Sequence, residues 1–430
     1  SGTLPVEAQE GPQPILIAQF SFSNPGARSL GLGGAFVALA DDATAAWANP
    51  AGLVQIARPE VSIEGRHWRY ATPFTVGGRI SGQPTGIGLD TTAGLRTERS
   101  ESDATGLAFL SFVYPAERWS VAIYRHVFAK MDTQGETQGL FGETDCCVIR
   151  YLDQRNRSSL EIVSYGFSAA YRVTDQLSQG LGLVYYDSRG EIESDLYFWD
   201  NLEDPMGSGT SYRQDHFAFG QTLFVDGWSI DISGGLLWKI DRHWSLGARY
   251  RQGPQLMLGG LGRVGHILDL GVPPGSTVPL GFNEQVEFPD NLGLGVAYRT
   301  TDGRLTVGFE WDRVTYSDPL ESLGIDDQFI VDADEIRLGG EWAFVDSKPL
   351  LALRAGIWHD PDHQTRTNDR ANEFTRALLQ PGEDELHFTL GFGAAFEKLQ
   401  IDGAQDLAES VETFSISLIV VTRSPVSSYW

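Results

Sequence analysis

Leu292, Leu294, Val296 and Tyr298 alternate with Gly293, Gly295, Ala297 and Arg299, and then Leu305, Val307, Phe309 and Trp311 alternate with Thr306, Gly308, Glu310 and Asp312. Alternation of period two puts successive side chains on opposite faces of a strand, so each segment carries one greasy face and one small or charged face. Segments of this kind fill most of the chain. Soluble sandwich strands run about five or six residues, and these are longer. A closed transmembrane β-barrel accommodates them, because lipid-facing and lumen-facing residues alternate along every strand.

The connections support that reading. Short turns fall at Pro115 to Glu117, Thr174 to Gln176, Asp241 to His243, Thr300 to Gly303, Val345 to Lys348 and Glu397 to Lys398, and long or polar connections alternate with them. From a strand near Glu60 to Tyr70 to a last strand at Val411 to Val421, the count is roughly fourteen, an even number with both ends on the short-turn, periplasmic side. Two regions leave strand and loop open, Tyr70 to Ala104 and Gly190 to Asp226, where Leu196 to Trp199, Phe217, Phe219 and Phe224 fit either. The third strand, from Arg118 to Lys130, is poor in glycine and shows no obvious break. Tyr114, Trp119, Trp244, Tyr298, Trp342, Phe344 and Phe396 fall near strand ends, where membrane-interface aromatics collect.

Composition fits. The 430 residues include 23 Phe, 14 Tyr, 11 Trp and 49 Gly, the mean hydropathy is −0.19, and no apolar run approaches the roughly 18 residues of a membrane helix. The formal net charge of −25 repels nucleic acid. Acidic residues gather in predicted loops such as GETQGLFGETD and SDPLESLGIDDQ, read as solvated faces with divalent-cation binding as the alternative. No spaced Cys/His cluster or calcium loop calls for a metal, and no cofactor is expected. Cys146 and Cys147 are adjacent and staple no long loop. Ser1 to Thr3 have no secretory-signal character, so any signal lies outside this sequence.

Ahead of the strands lies NPGARSLGLGGAFVALADDATAAWANPAGLVQI, from Asn24 to Ile56. Asp41 and Asp42 are helix N-cap types before Ala43 to Trp47, Asn49 caps a second helix, and Pro50 suits its first position. Gly31, Gly33 and Gly34 supply flexible backbone ahead of both and allow close packing against a wall. So small-residue a segment cannot bury enough apolar surface to stand alone. It reads as a plug inside the barrel. The divisions are an extension over 1–23, a plug over 24–58, a barrel over 59–422 and a tail over 423–430, where Trp430 is a terminal aromatic.

The stretch GARSLGLGGAFVALADDATAAWANPAGL, with its Asn49-Pro50-Ala51 turn, resembles the plug of the FadL-type outer-membrane transport family. FPDNLGLGVAYR, LTVGFEW, IRLGGEWAF and LLALRAGIWHDP are similar to that family's later hairpins. The resemblance implies a fourteen-stranded barrel with an N-terminal hatch, moving long-chain fatty acids or other hydrophobic molecules across the bacterial outer membrane. The plug also resembles that of PorV-type secretion shuttles, which bind protein cargo, and this is the alternative.

Phasing the strands on their lipid faces turns Arg249, Glu310, Arg337, Glu341 and Arg354 inward, since a basic residue facing lipid at mid-membrane costs about 2–4 kcal/mol. They form either a structural ladder of ion pairs or a clamp in which one arginine holds a ligand carboxylate. The plug residues Gly31, Gly33, Gly34, Asp41, Asp42, Asn49, Pro50 and Ala51 are the candidate gate. His126, His216, His243, His266, His359, His363 and His387 are scattered without a nucleophile in a recognisable spacing, and catalysis is not expected.

Overall fold

The computed structural model describes residues 23–143, 147–199, 206–207, 212–265, 273–323, 325–379 and 381–422. The extension over 1–22, Cys146 and the tail with Trp430 lie outside them. Cys147 is disulfide-bonded.

Fourteen antiparallel strands close on themselves. They are β1 Glu60–Arg79, β2 Leu95–Pro115, β3 Trp119–Thr137, β4 Asp153–Arg172, β5 Leu177–Tyr197, β6 Phe217–Lys239, β7 Trp244–Arg251 with Gln255–Val264, and β8 Thr277–Glu287 with Asn291–Arg299. They continue as β9 Leu305–Val314, β10 Ala333–Phe344, β11 Leu350–Asp360, β12 Glu385–Ala395, β13 Leu399–Leu407 and β14 Val411–Val421. Neighbours in sequence pair, and β14 pairs with β1 from Glu60↔Val421 to Tyr70↔Val411, so the closed wall has no free edge in that region. In the two open regions β1 runs on to Arg79, β2 begins at Leu95, β5 runs on to Tyr197 and β6 begins at Phe217, whereas Phe198 and Trp199 lie outside the strands.

Six turns are short, as the sequence predicts, and their chemistry is local. At one of them the Asp241 carboxylate accepts the N–H groups of His243 at 2.7 Å and Trp244 at 2.9 Å, closing an Asx turn. Trp119, Trp244, Trp342, Phe344 and Phe396 are exposed beside these turns, and Trp244 packs on Tyr298 at 4.8 Å. They form the inner aromatic girdle. Leu181, Leu183, Ile230, Ile232, Leu353 and Leu390 are exposed on the wall between the girdles.

Two irregularities interrupt the wall. β7 breaks at Gln252–Pro254 and β8 at Phe288–Asp290, each with a proline that lacks the ladder donor; the Phe288 N–H donates to the Pro254 carbonyl at 2.9 Å and bridges the breaks. The other is larger. β2 and β3 pair only from Pro115↔Ser120 to Phe109↔His126, although β2 stays paired with β1 as far as Gly78↔Leu95 and β3 with β4 as far as Thr137↔Gln154. A bulge on each strand ends the pairing: Ala108 is the extra residue opposite Glu64 and Gly65, and Phe128 the extra residue opposite Val163 and Ile162. The third strand is therefore broken in its pairing, contrary to the sequence reading. Glycine content was no guide, because a bulge needs one extra residue and not a flexible one.

Inside the barrel sits the plug. It holds a first helix, α1 Ala27–Gly31, whose last residue is one of the glycines the sequence suggests as flexible backbone, then α2 Ala45–Ala48 and a 3-10 helix Pro50–Gln55. Asn49 caps the last of these through the Ala51 N–H, with Pro50 at the first position, as expected. The expected capping by Asp41 and Asp42 is corrected. Asp42 accepts the Thr44 N–H at 2.9 Å and orders the entry to α2, whereas Asp41 turns to Arg28 and Arg299. Ion-pairing partners outside the helix outcompete the helix end.

Candidate transport site

The site is built from a floor, a chamber, a window and an outer cavity. The floor is the plug and the ring of wall residues that hold it. The Glu310 carboxylate accepts the N–H groups of both Phe36 and Val37 at 2.7 Å. Arg249 donates to Asn24, Asn291 and Asp312 at 2.9, 2.7 and 2.6 Å. Arg337 bonds Asp312 at 3.1 Å and Glu335, with its guanidinium 4.2 Å over the Trp358 ring. Arg354 joins Glu341 at 2.6 Å to Asp402 at 2.7 Å, and Arg28 of the plug joins Glu341 at 2.9 Å to Asp41 at 2.5 Å. All five inward charges named from the sequence are thus brought together, as a ladder between plug and wall. Their carboxylate partners already neutralise the three arginines, which leaves the clamp role without a free cation among them.

Glycines let the wall come this close. One inward glycine on each of eight successive strands faces plug atoms: Gly180, Gly235, Gly247, Gly295, Gly308, Gly339, Gly356 and Gly391, on β5 to β12. Gly180↔Gly235, Gly247↔Gly295 and Gly308↔Gly339↔Gly356 are direct cross-strand neighbours. A Cβ on Gly180 would overlap the Pro50 and Ala51 backbone, one on Gly339 the Leu32 carbonyl, and one on Gly356 the Gly33 amide. In the plug, Gly31 touches Gly391, while Gly33 and Gly34 take φ of 64° and 80°, a backbone region that favours glycine. Asn49 donates to the carbonyls of Val37 at 2.8 Å and Leu236 at 3.1 Å, and Ser178 donates to that of Ala51 at 2.9 Å.

Outward of the plug the lumen turns apolar. Phe128, Met131, Leu160, Ile162, Val184, Leu223, Val225, Leu256 and Leu258 form one buried cluster with Trp47. Trp47 meets His126 at 4.3 Å, Tyr124 at 5.9 Å and Phe128 at 6.0 Å between ring centroids, and Phe128 meets Tyr186 at 5.3 Å. Arg251 lies against this cage, its guanidinium 3.7 Å over Trp47 and donating to the Trp47 carbonyl at 2.8 Å. It is 4 % exposed. Among the described residues no carboxylate lies within 4.0 Å of it, and its Nε, the Tyr186 hydroxyl and His126 Nδ1 have no partner. Burying a cation without a carboxylate partner is costly.

Sequence reasoning missed Arg251. Its signal was present: it shares the inward face with Arg249 two residues earlier, directly before the Gln252-Gly253-Pro254 break.

The window is the unpaired stretch between β2 and β3. It begins beyond Phe109 and His126 and is bridged higher up where the Gln134 N–H reaches the Ser100 hydroxyl at 3.4 Å. Trp68, Ala104, Ala108 and Val127 pack together behind it, and the Tyr70 hydroxyl donates to the Lys130 carbonyl at 2.5 Å. Above lies a small cavity of about 60 Å³, lined by Phe74, Ser100, Thr133, Ile192, Leu223 and Leu378 among others. It borders both the chamber, through Leu223, and the window, through Ser100 and Gln134. Near the outer mouth His363 stacks on Tyr316 at 4.1 Å with Nδ1 3.4 Å from Asp360. Burial would lower its pKa, but Asp360 and the Pro361 carbonyl lift it to about 9.

A plugged fourteen-stranded barrel with a lipid-facing belt and an apolar inner chamber is an outer-membrane transport protein. The family model described as "Outer membrane protein transport protein (OMPP1/FadL/TodX)" matches residues 13–410, and the chain belongs to that family. Solved structures agree in fold. A Pseudomonas aeruginosa FadL homologue is 15% identical, with a TM-score of 0.66 over 95% of this chain and 100% of that one. The Pseudomonas putida toluene transporter TodX is 16% identical, with a TM-score of 0.58 over 94% and 100%. The CymD monoaromatic hydrocarbon channel is 19% identical, with a TM-score of 0.56 over the same shares. A search of curated proteins returns no match. The protein is a transporter of hydrophobic compounds in the outer membrane and not an enzyme, which favours the first of the two functions left open by the sequence.

Proposed function

We propose that the substrate is a hydrophobic molecule with an anionic head, of the long-chain fatty acid class. It enters the outer cavity, sets its head against Arg251 and its chain along the apolar chamber, and leaves sideways through the window between β2 and β3. The single observation that carries this reading is Arg251, a buried cation that has no carboxylate partner among the described residues and lies against an otherwise apolar cluster. Burial of the chain supplies about 0.8 kcal/mol per methylene, and the guanidinium supplies orientation. In this reading the plug keeps the axial path shut while substrate moves laterally.

The cage of Trp47, Tyr124, His126 and Phe128 supports a second reading, a neutral aromatic ring stacked at the same place. Binding of oleate and of toluene to the purified full chain, in wild type and in Arg251→Ala, separates the two. Oleate affinity should fall about tenfold or more, the worth of one charge-assisted contact, with toluene barely moved. Unchanged oleate binding in Arg251→Ala would remove the anionic class.

A further inference from the structure

On the outer face of the barrel, at the foot of the window, lies a groove lined by Leu110, Phe112, Ile123, Phe167 and Leu183, with Arg125 at its upper end. Arg125 is on the lipid-facing side of β3, next to Leu110 on β2 and Tyr165 on β4. Tyr165 neighbours Tyr185, which stacks on Trp228 at 6.2 Å, and these exposed aromatics mark the outer interface of the membrane. The guanidinium donates to the Leu107 carbonyl at 2.7 Å, a carbonyl next to the Ala108 bulge where β2 has left β3. Several outward cations near the tops of the strands have acids: Arg69 has Glu101, Lys130 has Glu161, and Arg313 has Asp332 and Asp334. Among the described residues Arg125 has none within 4.0 Å.

We propose that this groove is a seat for an anionic lipid of the surrounding membrane, its phosphate on Arg125 and one acyl chain along Ile123, Phe167 and Leu183. Charge and depth select the occupant. An unneutralised guanidinium at headgroup level, above an apolar trough that runs toward the membrane centre, matches the polarity of an amphipath lying along the wall. So placed, the lipid closes the foot of the window from outside, and a substrate leaving the chamber must displace it. The seat is independent of which substrate the chamber takes.

The test uses the full chain in nanodiscs of phosphatidylcholine with a minor fraction of phosphatidylglycerol, read by native mass spectrometry of the lipids retained on the barrel. Wild type should retain phosphatidylglycerol in excess of its bulk share. Arg125→Gln should lower that excess about fivefold, the worth of one basic residue at an anionic surface, and Arg125→Lys should keep most of it. Retention of the two lipids in their bulk ratio by wild type, or an unchanged excess in Arg125→Gln, overturns the proposal. Displacement of phosphatidylglycerol by neutral long-chain alcohol as readily as by phosphatidylglycerol itself overturns it too, because the site would then read only the chain. Oleate or toluene binding in the chamber is measured separately, so loss of the seat and loss of the transport reading give different results.

Discussion

The Glu310 carboxylate on β9 accepts the Val37 N–H of the plug at 2.7 Å, and the same oxygen accepts that of Phe36. Two backbone donors that no helix satisfies are therefore paired by the wall. In Glu310→Ala both lose their partner at a cost of about 1–3 kcal/mol each, and Glu310→Gln keeps one carbonyl acceptor and loses less. Hydrogen exchange at residues 30–40 should speed up and single-channel conductance should rise, more in the alanine variant. Wild-type exchange in Glu310→Ala would show that the plug is held elsewhere.

Gly339→Ala and Gly340→Ala form a matched pair on β10. A Cβ at position 339 overlaps the Leu32 carbonyl, whereas one at 340 finds only the Thr306 carbonyl at 4.0 Å. The first should destabilise plug seating by about 1–3 kcal/mol, as overpacking does, and increase proteolysis between Asn24 and Ile56. The second should leave both plug and barrel unchanged. Equal behaviour of the two would refute the close-approach argument.

Deleting the bulge residues Ala108 and Phe128 together lets the β2 and β3 ladders run on in register. The window should close. Uptake of a hydrophobic probe by cells carrying this variant should then fall to background, while the barrel still resists thermal unfolding as wild type does. Undiminished uptake would move the exit away from this wall.

His363 gives the outer mouth a pH dependence. Its folded pKa of about 9 exceeds the free value of about 6.5. The stabilisation of the Tyr316–His363–Asp360 contact is therefore complete below about pH 6.5 and is lost as pH rises through 9. Amide exchange in 315–332 and 361–379 should accelerate between pH 7 and 10 beyond its intrinsic base dependence, and His363→Gln should flatten that extra rise. No difference between the two proteins would assign the ring a packing role alone.

Much of this was legible in the sequence, for reasons that particular residues make plain. Leu292 to Trp311 alternate because one face meets lipid and the other meets plug, so strand number, turn positions and inward charges follow from period and hydropathy. Asn49-Pro50-Ala51 caps as its chemistry predicts. Arg249 and Arg337 were placed on the correct face, but their partners, Asp312 and Glu335, depend on which strands adjoin and at what register. The window was hidden because two single-residue bulges, at Ala108 and Phe128, leave the composition of each strand unchanged. Arg251 was hidden by its neighbour: two arginines on one face look alike until one finds an acid and the other does not.

The glycine ring also bears on how the molecule comes into being. Eight strands are shaped to the plug with no wall side chain between, so a finished barrel leaves no clearance through which residues 24–56 could be threaded afterwards. The plug must be present as a mandrel when the wall is wound around it, and the β14 to β1 seam from Tyr70↔Val411 to Glu60↔Val421 is the natural last closure. The amino-terminal segment is then an assembly template as well as a stopper, and supplying it in trans to a plugless barrel should not restore it.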